Sequence, residues 1–531
     1  MNLPLTPVRL LRYAEEQFSK KTAVVCGDLR VTYAEFGNRV SRLAGALRAK
    51  GVREGDRVAF LSVNCHRMLE AYFGVLEAGA VLLPLNYRLS SQELSYVLND
   101  AGASALFLAS DFTDLVNSFR ADLRSVRDCY LLDATPSASW LAPDNYEQML
   151  RGGPCYRADI TCFDENSLAE LFYTSGTSAN PKGVMLTHRN IYLHALHIAL
   201  YHHTKTEDAY LHTIPLFHAN GWGAAHTITF MGGTHVMIPR FVPQEVFRLV
   251  ERERVRALSL VPIMATALVN CPDRPKYDLS SLEWITIGGA ASSPSLIRDV
   301  EEKLGCRAFT GYGLTECSPS LATAELKPDM QCEREERYLL QSMTGYAYPG
   351  VELRVVDSEE RDVPRDGTTM GEIIARSDSV MAGYWKQPEA TAEALRGGWF
   401  HTGDMAVIEE NGYVMILDRK KDLIVSGGEN ISSLEVEKTL LAHPAVLEAA
   451  VIPMRDAKWG EVPKGVVVLK PGRSVEEADL IEFCRANLAH YKCPRSIEFV
   501  DALPKTATGK VLRKQLRQEY SGAEATVRPN G

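Results

Sequence analysis

The sequence has no excess of positive charge. It contains 58 Lys and Arg residues against 67 Asp and Glu residues, which gives a formal net charge of -9. A protein without a broad positive field has little with which to hold a polyphosphate backbone. The charge balance therefore argues against nucleic acid as a partner.

Paired cysteine motifs and targeting signals are also missing. The eleven cysteines are scattered and never spaced as CxxC, which argues against a disulfide framework or a zinc ribbon and favours a reducing compartment. The start, MNLPLTPVRLLRYAEEQ, has no uninterrupted apolar stretch, and the end, TVRPNG, is neither a prenylation box nor a peroxisomal SKL signal. These features predict a cytoplasmic protein.

One long segment, from Ala209 to Pro239, lacks Asp, Glu, Lys and Arg altogether. Its length alone would suit a membrane span. Histidines, glycines, Pro215 and Asn220 interrupt it, however, and such residues are costly in lipid. We therefore expect no membrane span here, and instead buried strands and loops that wall a cavity.

What is present is the composition of a large globular protein. The chain has 531 residues, of which 46% are hydrophobic and 24% charged, enough apolar material for more than one domain. AVVCGDLRVTY reads as a hairpin that bends at Gly27 and Asp28, and an amphipathic helix follows it. Strand and helix patterns alternate from there, which predicts a large α/β domain with layered, partly parallel sheets.

A dense charge run, DRKKD from Asp418 to Asp422, separates two strand patterns. We predict a domain boundary there: residues 1–417 form the N-terminal domain, 418–422 a hinge, and 423–531 a small α+β lobe. In that lobe Ser432 and Glu435 have the spacing of a helix capping box.

The most informative segment is YTSGTSANPKGVMLTH, from Tyr173 to His188. Its hydroxyls, its two glycines and Lys182 are the groups that surround a polyphosphate. No GxxxxGK[ST] sequence occurs in the chain, so P-loop NTPase chemistry is not supported.

Further motifs follow in a fixed order, and together they carry a resemblance. They are GYGLTE from Gly311, TGD from Thr402, DR from Asp418, SGGEN from Ser426 and PKTATGK from Pro504. With the phosphate loop they resemble the adenylate-forming superfamily of acyl-CoA synthetases, luciferases and peptide-synthetase adenylation domains. The resemblance covers nearly the whole chain. It implies an AMP-forming acid–thiol ligase whose C-terminal lobe is mobile, with ATP, CoA and Mg²⁺ as its substrates and cofactor.

By this resemblance Lys182 and its loop would hold the β- and γ-phosphates, Glu316 would ligate Mg²⁺, and Thr315 would lie near the α-phosphate. Tyr312 would stack on adenine, with the small residues 288–290 as the opposite wall. The residues implied in ATP and AMP binding are Thr174, Ser175, Gly176, Thr177, Lys182, Gly289, Ala290, Gly311, Tyr312, Gly313, Asp404 and Arg419, the last two at the ribose.

The same resemblance implies that the C-terminal lobe acts in two steps. Lys510 would contact the carboxylate and the α-phosphate during adenylation, a charge contact that strengthens as negative charge gathers in the transition state. The lobe would then pivot at Lys421. The residues expected to line the CoA path are Ser426, Gly427, Gly428 and Trp459.

The uncharged segment supplies the expected acid pocket, with Phe217, Asn220, Trp222 and Gly313 as its walls. His218 would lie near the reacting carboxylate and count, with Lys510, Thr315 and Glu316, as catalytic. Apolar walls favour an alkyl or aryl tail. By the resemblance, Trp222 matches the bulky gate residue of medium- and long-chain fatty acyl-CoA synthetases, which implies an acid of that kind. An aryl- or short-chain-acid-CoA ligase is the alternative.

Other interpretations stay open at this stage. An acyl-AMP ligase that loads a carrier protein, or a luciferase-like oxygenase, shares the nucleotide motifs. Most of the thirteen histidines lie between His188 and His235, yet HExxH is absent, and a histidine-rich metal-binding protein would leave every motif unexplained. Residues 327–343 are interpreted as a solvated surface insertion, and a homodimer is left open as an assembly.

Overall fold

The structure is a computed structural model. It describes residues 3–136, 138–174, 180–426, 429–456, 458–505 and 511–520.

Sixteen α-helices lie within the described residues: α1 Pro7–Gln17, α2 Tyr33–Ala49, α3 His66–Glu77, α4 Ser91–Ala101, α5 Thr113–Asn117, α6 Tyr146–Gly152, α7 His188–Tyr201, α8 Ala219–Phe230, α9 Pro243–Glu253, α10 Pro262–Val269, α11 Pro294–Leu304, α12 Arg334–Ser342, α13 Pro388–Ala394, α14 Ser433–Ala442, α15 Glu477–Asn487 and α16 Arg513–Tyr520.

The strands in the same described ranges are β1 Thr22–Cys26, β2 Leu29–Thr32, β3 Arg57–Leu61, β4 Val81–Pro84, β5 Ala103–Leu108, β6 Asp128–Leu131, β7 Leu168–Thr174, β8 Lys182–Thr187, β9 Ala209–His212, β10 Thr234–Met237, β11 Ala257–Leu260, β12 Trp284–Gly288, β13 Arg307–Tyr312, β14 Ala322–Thr323, β15 Tyr346–Ala347, β16 Val351–Val356, β17 Gly371–Ser377, β18 Gly383–Tyr384, β19 Phe400–Ile408, β20 Val414–Arg419, β21 Ile424–Ser426, β22 Glu429–Ile431, β23 Val446–Asp456, β24 Gly460–Leu469 and β25 Ser496–Phe499.

The chain divides into two compact units. Unit 1 comprises residues 1–353 and 375–400, and unit 2 comprises residues 354–374 and 401–531. The charge run 418–422 lies inside unit 2, where it comprises the last two residues of β20 and the turn that leads towards β21. Its role as a hinge remains a prediction.

Unit 1 contains two large sheets. The first, sheet A, has the order β15-β14-β13-β12-β11-β9-β10-β1-β2, and the second, sheet B, has the order β18-β8-β7-β4-β3-β5-β6. The central strands of each sheet are parallel, while β2, β14 and β15 in sheet A and β8 and β18 in sheet B are antiparallel. The carboxyl ends of parallel strands meet at one edge of a sheet, where ligands of such folds bind.

Strand alternation divides the side chains of these sheets between different cores. Val24 of β1 and Phe60 of β3 belong to the core that also contains α1, α2, α3 and part of α8. Their neighbours point the other way: Val25 packs with α9–α11, and Leu61 packs with α4. Helices thus lie between the two sheets and outside each of them, so the predicted layered α/β class is confirmed.

Unit 2 has its own cores. A four-stranded sheet, ordered β16-β17-β19-β20, lies largely in it, and β21–β25 form a second sheet. Helices α14 and α15 pack on one side of this second sheet, and Leu516 of α16 belongs to a separate cluster. The Ser432 side chain accepts a hydrogen bond from the Glu435 N–H, as the spacing predicts, but the Glu435 carboxylate pairs with Lys492 at 2.8 Å. The predicted α+β lobe is confirmed.

Two sequence interpretations need correction. The uncharged segment 209–239 does help to wall a cavity, but it contains helix α8 between β9 and β10, not strands and loops alone. Residues 327–343 are not a wholly solvated insertion, because α12 packs against α11 with Tyr338 and Gln341 buried. The Gln341 amide donates to Glu301 at 2.9 Å and to the Ala308 carbonyl at 3.0 Å. None of the helices in the described part of the chain is both long and apolar enough to cross a membrane.

Candidate active site

The predicted phosphate loop connects two antiparallel strands of sheet B. Thr174 ends β7 and Lys182 begins β8, and the two residues face each other in the strand register. The predicted contacts Ser175, Gly176 and Thr177 lie outside the described residues. The structure gives the positions of the two ends of the loop and places Lys182 at the start of the second strand.

A tyrosine connects the phosphate-loop lysine to the predicted magnesium ligand. The short strand β18 adds to the edge of β8, so that Tyr384 pairs with Val184. The Lys182 ammonium lies 5.0 Å from the Tyr384 ring centre, and the Tyr384 hydroxyl donates to Glu316 Oε1 at 3.0 Å. The structure therefore brings Lys182 and Glu316 together through Tyr384, which the motif analysis did not single out.

The GYGLTE segment follows directly from the carboxyl end of β13. Gly311 lies beside Gly288, the last residue of β12, and Gly289 then turns the chain with a φ of +83°. Gly313 has backbone so close that a β-carbon would lie 1.8 Å from the Pro319 carbonyl oxygen. Tyr312, Gly289 and Ala290 thus emerge at one edge of sheet A, as their predicted roles around a nucleotide base require.

Beneath this edge lies a cavity of about 100 Å³ in unit 1. One wall is a face of sheet A, and the other is formed by α7 and α8. Alternation places the small Ala257, Ser259, Thr286 and Gly288 on the cavity side of β11 and β12, whereas Leu258 and Ile285 point into the opposite core. The residues that line the cavity are His194, Ile198, His202, Thr204, Asp208, Ala209, Tyr210, Gly223, Ala224, Thr227, Ile228, Ala257, Ser259, Trp284, Thr286, Gly288, Gly311, Tyr312, Gly313, Pro319, Ser320 and Tyr348.

The residues that line the cavity span strand β12 from Gly288 to Trp284. From Gly288 at the carboxyl end of β12 to Trp284 at its start, the strand rise gives a depth of ~13 Å. The Trp284 ring stacks on His202 at 4.8 Å between centres. Burial lowers the pKa of His202, and of His194 nearer the other end, to about 3. Both imidazoles are therefore neutral at physiological pH.

The PLFHANGW segment that precedes and opens α8 is held by Asn64. The Asn64 amide donates to the carbonyls of His212 and Ile214 at 2.8 and 2.9 Å, and its oxygen accepts from the Leu216 N–H at 2.7 Å. A polar side chain buried to 4% exposure and bonded on both sides fixes this loop. Sequence reasoning missed Asn64, which has no motif around it.

The predicted acid-pocket residues that the structure describes do not all line the cavity. His218 is the N-cap residue of α8. Phe217 is buried edge-on against Tyr87, with ring centres 5.1 Å apart, and is not among the described residues that line the cavity. Gly313 is among them. The side chains of Asn220 and Trp222 lie outside what the structure describes.

In unit 2 the predicted ribose residues meet across a strand pair. Asp404 of β19 faces Arg419 of β20, and the Arg419 Nε lies 2.5 Å from Asp404 Oδ1. The neighbouring Asp418 is fully buried, accepts from the Ser433 N–H, and has its pKa raised by burial. The pairing gives Asp404 an adjacent cation, and the roles of both residues at the ribose remain predictions.

Of the other predicted residues of unit 2, the structure describes Lys421, Ser426 and Trp459. Burial lowers the pKa of Lys421, whose carbonyl accepts from Arg517 of α16 at 3.3 Å. Ser426 pairs with Gly460, next to the half-exposed Trp459, so these two predicted CoA-path residues are neighbours. Gly427, Gly428 and Lys510 lie outside the described residues.

The donor set around Glu316 suits a magnesium ion held mainly by nucleotide phosphates. Mg²⁺ in such sites uses one or two carboxylates plus phosphate oxygens, and Glu316 supplies one carboxylate 3.0 Å from a hydroxyl. Among the described residues no three His, Cys, Asp or Glu side chains form a metal cluster. Two of the buried histidines, His212 and His235, hydrogen-bond each other at 3.0 Å.

Comparison with known proteins decides the family. The sequence profile of the AMP-binding enzyme family matches residues 11–385, and that of the AMP-binding enzyme C-terminal domain matches residues 435–510. The chain belongs to the AMP-binding enzyme family. It is an AMP-forming acid–thiol ligase, as the motif order predicts.

Relatives of full length support this assignment. The chain is 37% identical to 4-hydroxybutyrate–CoA ligase 2 of Metallosphaera sedula, covering 97% of this chain and 94% of that one. It is 38% identical to a long-chain-fatty-acid–CoA ligase of Thermus thermophilus, covering 92% and 90%. Among solved structures, an anthranilate CoA ligase in complex with anthranoyl-AMP superposes with a TM-score of 0.88 at 28% identity, covering 98% of both chains.

Proposed function

We propose that this ligase activates a carboxylic acid with a compact apolar body of short to medium length, and then transfers the acyl group to CoA. The cavity beneath Gly311–Gly313 carries the proposal. Its depth of ~13 Å, set by the rise of β12 from Gly288 to Trp284, suits such an acid better than an extended long-chain fatty acid. The named relatives span both kinds of acid, so the cavity of this chain is the better guide.

The reaction proceeds in two displacements. A carboxylate oxygen attacks the α-phosphorus of ATP and pyrophosphate leaves, which gives acyl-AMP. The CoA sulfur then attacks the acyl carbonyl carbon, loses its proton, and AMP leaves. The first step brings two anions together, so positive charge and positioning supply most of the catalysis.

The residues of unit 1 suit that first step. Lys182 supplies a cation at the return of the phosphate hairpin, and Glu316 is held by Tyr384 beside it. Thr315 immediately precedes Glu316, and His218 caps the helix that walls the cavity. When Mg²⁺ is bound it neutralises phosphate charge, and Glu316 is the residue that would hold it.

The residues of unit 2 suit the nucleotide sugar and the second step. Asp404 accepts ribose hydroxyls while Arg419 pairs with it. Ser426 and Trp459, which neighbour each other, line the path of the pantetheine arm. Lys510 approaches the reacting carboxylate during adenylation, and rotation at Lys421 exchanges the two arrangements.

The experiment that tests the function is a panel of carboxylic acids assayed for AMP release with and without CoA. Release that requires acid and CoA together is expected. AMP formation that is indifferent to CoA would contradict transfer to CoA. A cytoplasmic location remains a prediction.

The substrate size is tested by filling the deep end of the cavity. Ala257→Val adds two methyl groups beside Trp284, its partner in the strand register. The preferred tail should become shorter while activity with the shortest acids is retained. Leu258→Ile, on the opposite face of the same strand, is the matched control, and an unchanged preference in Ala257→Val would contradict the assignment of the cavity.

A further inference from the structure

Four polar side chains lie at the deep end of the cavity, and we call Asp208, Tyr210, Ser259 and Trp284 the polar floor. Tyr210 and Trp284 both pair with Ala257 in the strand register, so they form one row across sheet A. Ser259 lies two residues farther along β11 on the same face, and Asp208 immediately precedes β9. All four line the cavity and are largely buried.

One donor and one acceptor of the polar floor have no hydrogen-bond partner among the described residues. Trp284 Nε1, a donor, and Asp208 Oδ1, an acceptor, are buried and make no hydrogen bond to any described residue. Buried polar groups are normally bonded, and each exception asks for an explanation. The other Asp208 oxygen is fully used, because it accepts from Arg256 at 2.6 Å and from the Lys205 N–H at 2.7 Å.

The other two members of the floor form a hydroxyl pair. The Tyr210 hydroxyl and the Ser259 hydroxyl lie 2.7 Å apart. Burial raises the pKa of Tyr210 to about 12, so both groups keep their hydrogens. One hydrogen serves the bond between them, and the other remains to be donated, with lone pairs still able to accept.

The remaining charges of the cavity limit what fits this floor. Among the described residues that line it there is no Lys or Arg, and burial lowers the pKa of His202 to about 3, so that this imidazole is neutral. A second carboxylate would face Asp208, and the nearby cation Arg256 is already paired with Asp208 at 2.6 Å and with Glu283 at 2.8 Å. An ammonium group could donate to Asp208, but it could not accept from Trp284 Nε1 and would lie near Arg256.

A hydroxyl group meets both needs, because it donates and accepts at once. From the juxtaposition of these four side chains, at the end of a cavity whose described lining contains no Lys or Arg, we infer that the acid substrate carries a hydroxyl group at the end of its tail distal to the carboxylate. Trp284 and Asp208 would be its specificity-determining partners. The inference rests on the proposed function, since it requires the carboxylate to lie at the strand ends.

The experiment compares matched acids that differ only at the distal end, using the full-length protein and acid-dependent exchange of pyrophosphate into ATP. The pairs are hexanoate with 6-hydroxyhexanoate, octanoate with 8-hydroxyoctanoate, and 3-phenylpropanoate with 3-(4-hydroxyphenyl)propanoate. Within at least one pair the hydroxy acid should have a kcat/KM at least about tenfold higher, because the analogue leaves buried groups unpaired. The alkyl and aryl pairs distinguish an aliphatic hydroxyl from a phenolic one. Adipate and 6-aminohexanoate test the charged alternatives.

Two variants tie the preference to the floor. Trp284→Phe keeps an aromatic ring beside His202 but removes Nε1, and it should lower the ratio of kcat/KM for the hydroxy acid to kcat/KM for the unsubstituted acid about five- to tenfold. Ser259→Ala should act in the same direction with less risk to folding. Thr227→Val is the control, since the Thr227 hydroxyl also lines the cavity but already donates to the Gly223 carbonyl at 3.2 Å.

The outcomes separate the inference from the function on which it rests. Exchange with unsubstituted acids and no preference for the hydroxy partner would overturn the inference and leave the ligase intact. A preference for 6-aminohexanoate or adipate would also overturn it. A hydroxyl preference that survives both Trp284→Phe and Ser259→Ala would show that other groups read the tail. If none of the acids supported exchange of pyrophosphate into ATP, that result would instead refute the proposed function.

Discussion

Replacing Tyr384 with phenylalanine tests the arrangement that joins the phosphate hairpin to Glu316. The variant removes the hydroxyl that donates to Glu316 Oε1 at 3.0 Å, and it keeps the ring that lies 5.0 Å from the Lys182 ammonium. A hydrogen bond to a charged group contributes roughly 1.5–3 kcal/mol, and partial exposure of both residues reduces this to about 1–2 kcal/mol. Such a loss corresponds to a drop of roughly 5- to 30-fold.

The assay is exchange of pyrophosphate into ATP at varied Mg²⁺–ATP concentration and saturating acid. Tyr384→Phe should lower kcat/KM for the nucleotide by that factor, and Tyr384→Ala should lower it further because the contact with Lys182 is lost as well. Tyr277→Phe is the matched control, since the Tyr277 ring packs against Phe247 in the core on the face of sheet A opposite the cavity. A folded Tyr384→Phe protein within twofold of the wild type would refute the reasoning.

Three further predictions concern the lobe, the loop before α8 and the buried histidines. Lys510→Ala should abolish adenylation yet largely spare thioester formation from supplied acyl-AMP, and equal loss of both half-reactions would contradict a role confined to the first step. Asn64→Ala removes three hydrogen bonds to buried backbone groups, so the free energy of unfolding measured with denaturant should fall by about 2–4 kcal/mol. A fall of less than about 1 kcal/mol would argue against the role of Asn64 in fixing the loop before α8. Burial lowers the pKa of His194, His202 and His212 from 6.5 to about 3, so the unfolded chain binds protons first as the pH falls below 6.5. The free energy of unfolding should therefore keep its full contribution from these histidines above pH 6.5 and fall by roughly 2 kcal/mol per histidine at pH 5. An equal free energy of unfolding at pH 7 and pH 5, after allowance for carboxylates, would contradict the burial of these histidines as neutral groups.

Local patterns in the sequence predicted much of the fold. The bend at Gly27 and Asp28 joins β1 to β2, and the apolar spacing from Phe36 to Leu47 is helix α2. Both features depend on residues close together in sequence, where turn chemistry and periodicity are informative. Motif order likewise predicted the family, because each motif keeps its own short spacing.

Features that depend on long-range packing escaped prediction. Helix α8 lies in a segment without charged residues and is buried around most of its surface, so no polar face marks its period. The motif pattern predicts a phosphate loop within Tyr173–His188 but does not reveal strand β8, because a strand paired on both sides shows little alternation. Tyr384 lies far from Glu316 and Lys182 in sequence. The pairing of β18 with β8 and the bond from the Met381 N–H to the Glu316 carbonyl bring the three together.

The polar floor escaped for a related reason. Tyr210, Ser259 and Trp284 belong to three separate strands and become neighbours only through the parallel register of sheet A. Each looks like an ordinary strand residue when its own segment is examined. The chemistry of the acid pocket thus depends on strand order, whereas the nucleotide chemistry depends on contiguous motifs.

The central claim is that a carboxylate oxygen attacks the α-phosphorus of ATP and that a thiol then displaces AMP. The most direct test is to supply the acid with its carboxylate labelled with oxygen-18, together with ATP and CoA, and to analyse the products by mass spectrometry. The account predicts that one labelled oxygen per turnover appears in the phosphate of AMP. Label in inorganic phosphate, or AMP that carries none, would contradict it.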